Sequence, residues 1–243
     1  MSWELRLGDC LDPVTGLASL ADRSVAHLIT DPPYSDHVHA KQWIGASLTQ
    51  HGAKRCSTAH KELGFDALAP EVASAIAVQS ARIATRWTAA FCDLEGMHRW
   101  ITWGQEAGLE YVRACIWDKV DSAPQFTGDR PASSAEAIVL FHPPGKKRWN
   151  GGGARNVFRF AVNGERGDKP HPSTKPTALM ETLIRLFTDP GETIVDPFSG
   201  SGSTGVAAIR LGRNFIGFEK DPKYHAIAMK RLNAAREQLE LTA

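Results

Sequence analysis

Apolar positions along the chain gather into short blocks of two kinds. Compact runs at residues 3–7, 25–30, 87–92, 109–117, 135–141, 192–196 and 213–219 predict seven strands, several of them buried on both faces. Segments with helical spacing predict helices at 12–21, 71–86, 94–105, 174–188, 204–211 and 222–239. In the second of these, Val72, Ala75, Ile76, Ala81 and Ile83 supply most of an apolar face, and Pro222 stands in the first turn of the last. Strands alternating with helices predict an α/β fold, a mostly parallel sheet covered by helices on both faces. Two stretches hold no period, residues 35–70 and 142–173. Irregular segments of that length inside a compact unit usually carry function, and the first is expected to form a lid over a pocket.

Composition narrows the picture without deciding it. A chain of 243 residues, 42% hydrophobic and 23% charged, suits one α/β domain, taken here as residues 1–243. No apolar run approaches the roughly 20 residues needed to cross a bilayer, and the first residues lack a signal-peptide layout, so a cytoplasmic protein is expected. The cysteines at 10, 56, 92 and 115 form no C-x-x-C pair, which disfavours a disulfide framework or a cysteine zinc site. His37 and His39 have the spacing of a metal edge, but nothing completes the set, and no metal is expected. Trp43, Phe126 and Trp149 are read as packing. The net charge of +1 gives no ground for a nucleic-acid partner, so any such claim must rest on local clustering.

Thr30-Asp31-Pro32-Pro33-Tyr34 closes the apolar run at 25–30. The two prolines fix φ and remove two N–H donors, leaving carbonyl acceptors beside a carboxylate and an aromatic ring. In open α/β sheets, ligands bind beyond the carboxyl ends of strands. The loop therefore suits a flat, amino-bearing group whose N–H bonds meet acceptors while Tyr34 covers its face. An exocyclic amine of a nucleobase fits that description.

The second constellation runs from Ile194 to Gly205 through Asp196-Pro197-Phe198-Ser199-Gly200-Ser201-Gly202-Ser203-Thr204. It reads as a strand, a small-residue turn and a helix start, where glycines allow close backbone approach and the helix N-terminus adds donors. Gly200, Gly202 and Gly205 spell G-x-G-x-x-G, with Glu219 at the end of the next strand to hold a ribose. A dinucleotide site is disfavoured because that unit normally opens its fold, whereas here only one strand and one helix follow. The Walker lysine is absent. Asp196 before the turn suits a nucleoside ligand bearing a cation, such as S-adenosylmethionine.

Taken together and in this order, Asp31-Pro32-Pro33-Tyr34 and Asp196-Pro197-Phe198-x-Gly200-x-Gly202 resemble the DNA amino-methyltransferases acting on adenine N6 or cytosine N4, in the permuted β group. Gly8-Asp9, Trp117-x-Lys119, Glu136, His171-x-x-x-Lys175-Pro176-x-x-Leu179, and Gly217-Phe218-Glu219 with Tyr224 and Arg231 extend the likeness over most of the chain. The resemblance implies a Rossmann-like, seven-stranded methyltransferase domain with S-adenosylmethionine as cofactor and double-stranded DNA as partner. It also implies that the Asp31 carboxylate and Pro32 carbonyl hold the target amine, with Pro33 shaping the loop and Tyr34 stacking on a base taken out of the duplex. Asp196 is expected at the methionine end, Lys175 on its carboxylate, Glu219 on the ribose and Asp9 near the adenine. Phe198, Gly200 and Gly202 would shape the pocket, with Cys10, Asp31, Ser199, Ser203, Thr204 and Lys220 alongside. Aspartate at the head of the first motif favours adenine N6. The alternatives are cytosine N4, or a protein of the same fold that binds cofactor and DNA without turnover.

The stretch 142–173, with Lys175 just beyond it, is rich in Lys and Arg against Glu165 and Asp168, and it occupies the place where this group carries target recognition. Lys146, Lys147, Arg148, Arg155 and Arg159 are the expected DNA contacts. The segment is short, so a second copy of the chain, forming a homodimer, is expected to help grip the duplex. No nuclease motif is present, which fits an orphan or phage-borne enzyme as well as a restriction companion.

Overall fold

The computed structural model describes residues 1–34, 68–125, 128–162 and 174–242. Most of the expected lid, with His37, His39 and Trp43, lies outside the described residues, as do Phe126, Arg166, Lys169 and His171. One eight-stranded sheet runs through the rest. Its strands are β1 (Trp3–Leu7), β2 (His27–Thr30), β3 (Thr88–Cys92), β4 (Glu110–Asp118), β5 (Ala135–His142), β6 (Val157–Arg159), β7 (Thr193–Asp196) and β8 (Asn214–Glu219). They lie in the order β1-β8-β7-β2-β3-β5-β4-β6. The pairs from β1 to β3 are parallel, β5 runs antiparallel to both neighbours, and β6 returns parallel to β4.

The seven expected strands are all present, and the eighth corrects the count. β6 is three residues long and buries only Phe158, so it carries no readable period and lies inside the stretch read as irregular. A second correction concerns residues 12–21, expected to be a helix. Asp12 turns its carboxylate back onto the N–H groups of Val14 and Thr15 and the Thr15 hydroxyl, a local closure that competes with helix formation. Only a single 3₁₀ turn at Leu17–Ser19 remains.

Among the described residues, five α-helices cover the sheet: α1 (Pro70–Ile83), α2 (Met97–Glu106), α3 (Thr177–Phe187), α4 (Ser203–Arg210) and α5 (Pro222–Thr242). Alternation along each strand divides the core. Ile29, Phe91, Ile194 and Phe215 pack with Leu183, Phe187, Ile209 and Leu232 on the face of α3, α4 and α5. Leu28, Ala90, Val195 and Phe218 pack with Leu17, Ile76, Ile83 and Trp100 on the face of α1 and α2. Burial on both faces explains why the central strands read as unbroken apolar runs.

β7 and β2 are neighbours near the middle of the sheet, and the chain leaves them in opposite senses. β7 passes through α4 to β8 on one side, and β2 passes through α1 to β3 on the other. The loops beyond their carboxyl ends diverge and open a crevice. Both sequence motifs stand there.

Candidate active site

The two motifs touch at their base. The Thr30 hydroxyl, the last group of β2, donates to Asp196 Oδ1 of β7 at 2.9 Å. Asp196 also accepts the Phe198 N–H at 3.1 Å and a bond from the Thr204 hydroxyl. Burial outweighs these bonds and pushes its carboxyl up to about 6. An acid held so far from water gains from a cation placed beside it.

Beyond Asp196 the chain turns tightly. Gly202 has φ of +85°, which an L side chain rarely adopts, and leads into α4 with no side-chain cap. The first N–H groups of α4 thus take no side-chain cap. Ser199 N–H donates to the Phe218 carbonyl at 2.9 Å, which seats the turn on β8. Gly217 makes room for it, since a Cβ there would lie 2.4 Å from Ser199 Oγ. Glu219 receives the N–H groups of Gly200 and Asp221, both at 2.8 Å, and burial still raises its carboxyl above the usual range. Ser203 Oγ is buried and has no hydrogen-bond partner among the described residues. Gly8 N–H reaches the Glu219 carbonyl, which brings Asp9 and Cys10 beside Glu219 and the exposed Lys220. The Cys10 thiol is pushed up to about 12 by burial and by Asp9, so it packs and does not react.

On the β2 side, Pro32 is buried and Asp31 and Tyr34 are half-buried. Lys175, just before α3, donates to Asp31 Oδ1 and Oδ2 at 2.7 and 2.6 Å, and to Tyr34 Oη at 3.1 Å. It also lies 3.2 Å from Glu136 Oε2. Its ammonium is walled by the rings of Tyr34, Phe91 and Trp117, 5.1 to 5.7 Å from their centres. The Tyr34 hydroxyl donates to Glu136 Oε2 at 2.5 Å and lies 3.2 Å from Asp31 Oδ1. Lys119 meets the other oxygen of Glu136 at 2.5 Å.

Topology explains why Glu136 and Lys119 are present at all. β5 runs antiparallel, so its first residues lie where β3 and β4 end, with Ala137 opposite Cys92 and Glu136 opposite Trp117. The two carboxyl groups on Lys175 are driven in opposite directions. At Asp31 burial wins over the nearby ammonium and raises the acid. At Glu136 burial is outweighed by Lys175 and Lys119, and the acid is held below its usual range. Burial, with Asp31 and Glu136 beside it, keeps the Tyr34 phenol protonated. Burial pulls Lys175 down, yet its two carboxylates hold it above the ordinary range and therefore charged.

Most of the expected site residues converge on this crevice. Lys175 does so differently from expectation: its ammonium is engaged by Asp31, Glu136 and Tyr34 on the β2 side. Thr30 and Glu136 carry no role that sequence alone assigns, although Glu136 and Lys119 belong to segments of the family likeness. Arg159 ends β6 opposite Asp118, on the same edge as Lys119, and pairs with Asp118 at 3.0 Å. Arg155 is exposed just before β6. Lys146, Lys147 and Arg148 are not brought to the site. They follow the far end of β5, where Lys147 meets Glu110 at the start of β4 and Arg148 meets Asp189 ahead of β7. β4 alone, nine residues long, separates the two edges by about 26 Å at the usual strand rise.

An open α/β sheet with an acid-lined, glycine-turned crevice at its switch point defines a protein that binds a nucleoside ligand at the carboxyl ends of its strands. The particular kind follows from comparison: residues 25–230 match the DNA methylase family that acts on N6 or N4 amines, and the chain belongs to that family. It is 32% identical over 154 residues to the Type II methyltransferase M2.DpnII of Streptococcus pneumoniae, covering 55% of each chain. It is equally similar, at 32% over 149 residues and 53% of each chain, to M2.LlaDCHI of Lactococcus lactis subsp. cremoris. The chain thus spans about half the length of the curated relatives it matches. Among solved structures, the fold is shared with an M1.HpyAVI–SAM complex (TM-score 0.70, 22% identity, 96% of this chain and 100% of that one). It is shared also with the cytosine-N4-specific PvuII DNA methyltransferase (TM-score 0.72, 17% identity, 98% and 93%).

S-adenosylmethionine is the cofactor this family implies, and the crevice fits it. Among the described residues no cation pairs with the buried Asp196, Ser203 Oγ has no hydrogen-bond partner, and no side chain caps the start of α4. Asp196 would face the positively charged methionine end, while Glu219 and the adjoining Asp9 segment would hold the nucleoside.

Proposed function

We propose that this chain transfers a methyl group from S-adenosylmethionine to the exocyclic amine of a DNA base, adenine N6 in the first instance. The observation that carries the reading is the meeting of Asp31 and Asp196 at one switch point, joined through Thr30. One motif accepts an amine and the other accepts a cationic nucleoside. The cofactor supplies an electrophilic methyl on a sulfonium centre.

The chain's own residues supply position and charge. An aromatic amine is a poor nucleophile because its lone pair is delocalised into the ring. The Asp31 carboxylate and Pro32 carbonyl accept its N–H bonds and turn the lone pair out of the plane. Lys175 fixes the Asp31 carboxylate in place, and Tyr34, held by Glu136, lies against the face of the base. A cleft beside Tyr34 is walled by Pro33, Cys92, Trp100 and Trp103 together with the charged Asp93 and Arg99. No covalent enzyme intermediate is required. Aspartate at the motif head supports adenine over cytosine.

The test is nucleoside mass spectrometry on DNA from a methylation-free host expressing the chain, beside an Asp31→Ala control. N6-methyladenine in the active sample alone is expected, with cofactor binding by calorimetry retained in the variant. N4-methylcytosine would overturn the choice of base. Neither product, with cofactor still bound, would leave a binding protein of the same fold.

A further inference from the structure

Methyl transfer to an amine leaves a proton to dispose of, and the site holds a route for it. The nitrogen lone pair forms the N–C bond as the C–S bond breaks with its electron pair on sulfur. The nitrogen then carries a positive charge until one N–H bond breaks and returns its pair to nitrogen. Asp31 is the carboxylate in reach of that proton. Lys175 and Lys119 are already cationic and take none.

From Asp31 one protonated, unionised group leads on. The Tyr34 hydroxyl lies 3.2 Å from Asp31 Oδ1 and donates to Glu136 Oε2 at 2.5 Å, so it touches both carboxylates. Glu136 is held at both oxygens, by Lys119 on one and by Lys175 and Tyr34 on the other. Glu136 keeps 11% of its side chain exposed and Lys119 beside it 17%, which puts this end of the chain of bonds next to water.

We propose that Glu136, acting through the Tyr34 hydroxyl, is the exit for the proton released on methylation, and this rests on the methyltransferase reading above. Asp31 takes the proton from the amine. Tyr34 Oη then accepts it from Asp31 while passing its own hydroxyl proton to Glu136 Oε2, and Glu136 gives it to water. No net proton is gained or lost along the path. Lys175 is the positioning residue, bonded to Asp31, Tyr34 and Glu136 at once. The groups facing Glu136 from the packed elements are Asp31 and Tyr34 after β2, Cys92 at the end of β3, Lys119 after β4, and Lys175 before α3. Two cations hold Glu136 ionised, so it is a vacant acceptor at neutral pH, whereas the buried Cys92 thiol stays neutral.

The experiment follows methyl and proton together. The chain, S-adenosylmethionine and unmethylated genomic DNA are mixed in weak buffer with a pH indicator, and methylated base is counted in quenched aliquots. In the wild type, proton and methylated base should appear at the same rate. In Glu136→Gln methyl transfer itself should slow, and the proton should lag the methylated base by about tenfold or more, with Glu136→Asp recovering much of the difference. Cofactor affinity by calorimetry should be unchanged in both. Lys119→Met removes one of the two cations, so the pH below which the proton lags should move upward. This second variant decides the matter if Glu136→Gln does not fold. Proton and methyl in step in Glu136→Gln, or no pH displacement in Lys119→Met, would overturn the path. A wild-type chain giving neither methylated base nor proton would instead overturn the methyltransferase reading, and the path with it.

Discussion

At the residue scale the sharpest lever is Asp196. Its carboxyl stands at about 6, because burial disfavours the anion more than its three hydrogen bonds favour it. A cationic ligand beside it reverses that balance and pulls the acid down again. Cofactor binding should therefore strengthen as pH rises through about 6, with roughly one proton released per cofactor bound below that pH. Calorimetry from pH 5 to 8 in two buffers of different ionisation enthalpy reads both quantities. Asp196→Asn should lose the pH dependence and bind more weakly at pH 8. An affinity flat across this range in the wild type would remove Asp196 from the cofactor's charged end. The same residue shows what was legible in sequence. An aspartate before a glycine turn declares its chemistry locally, and the structure puts it in the crevice, bonded to Thr30 of the other motif. Lys175 does not declare itself in this way. Its partners lie 144 and 39 positions away along the chain, at Asp31 and Glu136. A lysine before a helix is compatible with either end of the crevice until the strands are laid side by side.

At the scale of elements, the apolar runs were readable because both faces of the central strands are buried, and hydrophobicity then has no competitor. Where local polar chemistry competes, the pattern misleads. Asp12 capturing Val14 and Thr15 replaces an expected helix, and β6 buries too little to signal itself. The order of strands was not readable either, and the antiparallel turn of β5 is what delivers Glu136 to the site. A second group of charges locks the opposite edge. Arg86 pairs with Glu192 at 2.6 Å and Asp189 at 3.0 Å, and His27 meets Glu192 at 2.8 Å. Burial raises Glu192, but the bonds from His27, the Asp189 N–H and Arg86 outweigh it and bring the acid to about 2. Its folded value lies below the ordinary 4.5, so its stabilisation is present above about pH 4.5 and is lost as pH falls toward 2. Arg86→Met leaves Glu192 without its guanidinium and Asp189 with Arg148 as its cation, and should cost about 3 kcal/mol at pH 7. Urea unfolding at pH 7 and pH 3 checks this, and the gap between variant and wild type should narrow at the lower pH. A gap that stays constant would mean that Arg86 acts by packing alone.

For the whole molecule, the proposed function turns on which edge of the sheet would meet DNA. Composition could not answer it, because the net charge of +1 is spread over both edges and basic residues close in sequence need not be close in space. The turn of β5 carries Lys146, Lys147 and Arg148 to the edge away from Asp31, where Lys147 and Arg148 are paired with Glu110 and Asp189. The parallel return of β6 carries Arg159 back to the edge that holds Lys119 and Glu136, with 73% of its side chain exposed. On the proposed function, a duplex whose base reaches Asp31 would lie over the edge of Lys119 and Glu136, within reach of Arg159 and away from Lys146 and Lys147. Removing one cation that neutralises a phosphate lowers the salt dependence of binding by about one unit of log–log slope. Arg159→Ala should therefore weaken DNA binding at 50 mM salt and flatten the slope by about 1. The triple variant Lys146→Ala, Lys147→Ala, Arg148→Ala should leave the slope where it is. Fluorescence anisotropy with a labelled duplex, titrated between 50 and 200 mM salt, measures both. The reverse result, with the slope flattened in the triple variant and kept in Arg159→Ala, would mean that the chain grips DNA along the Lys147 edge, and would place the duplex away from the crevice.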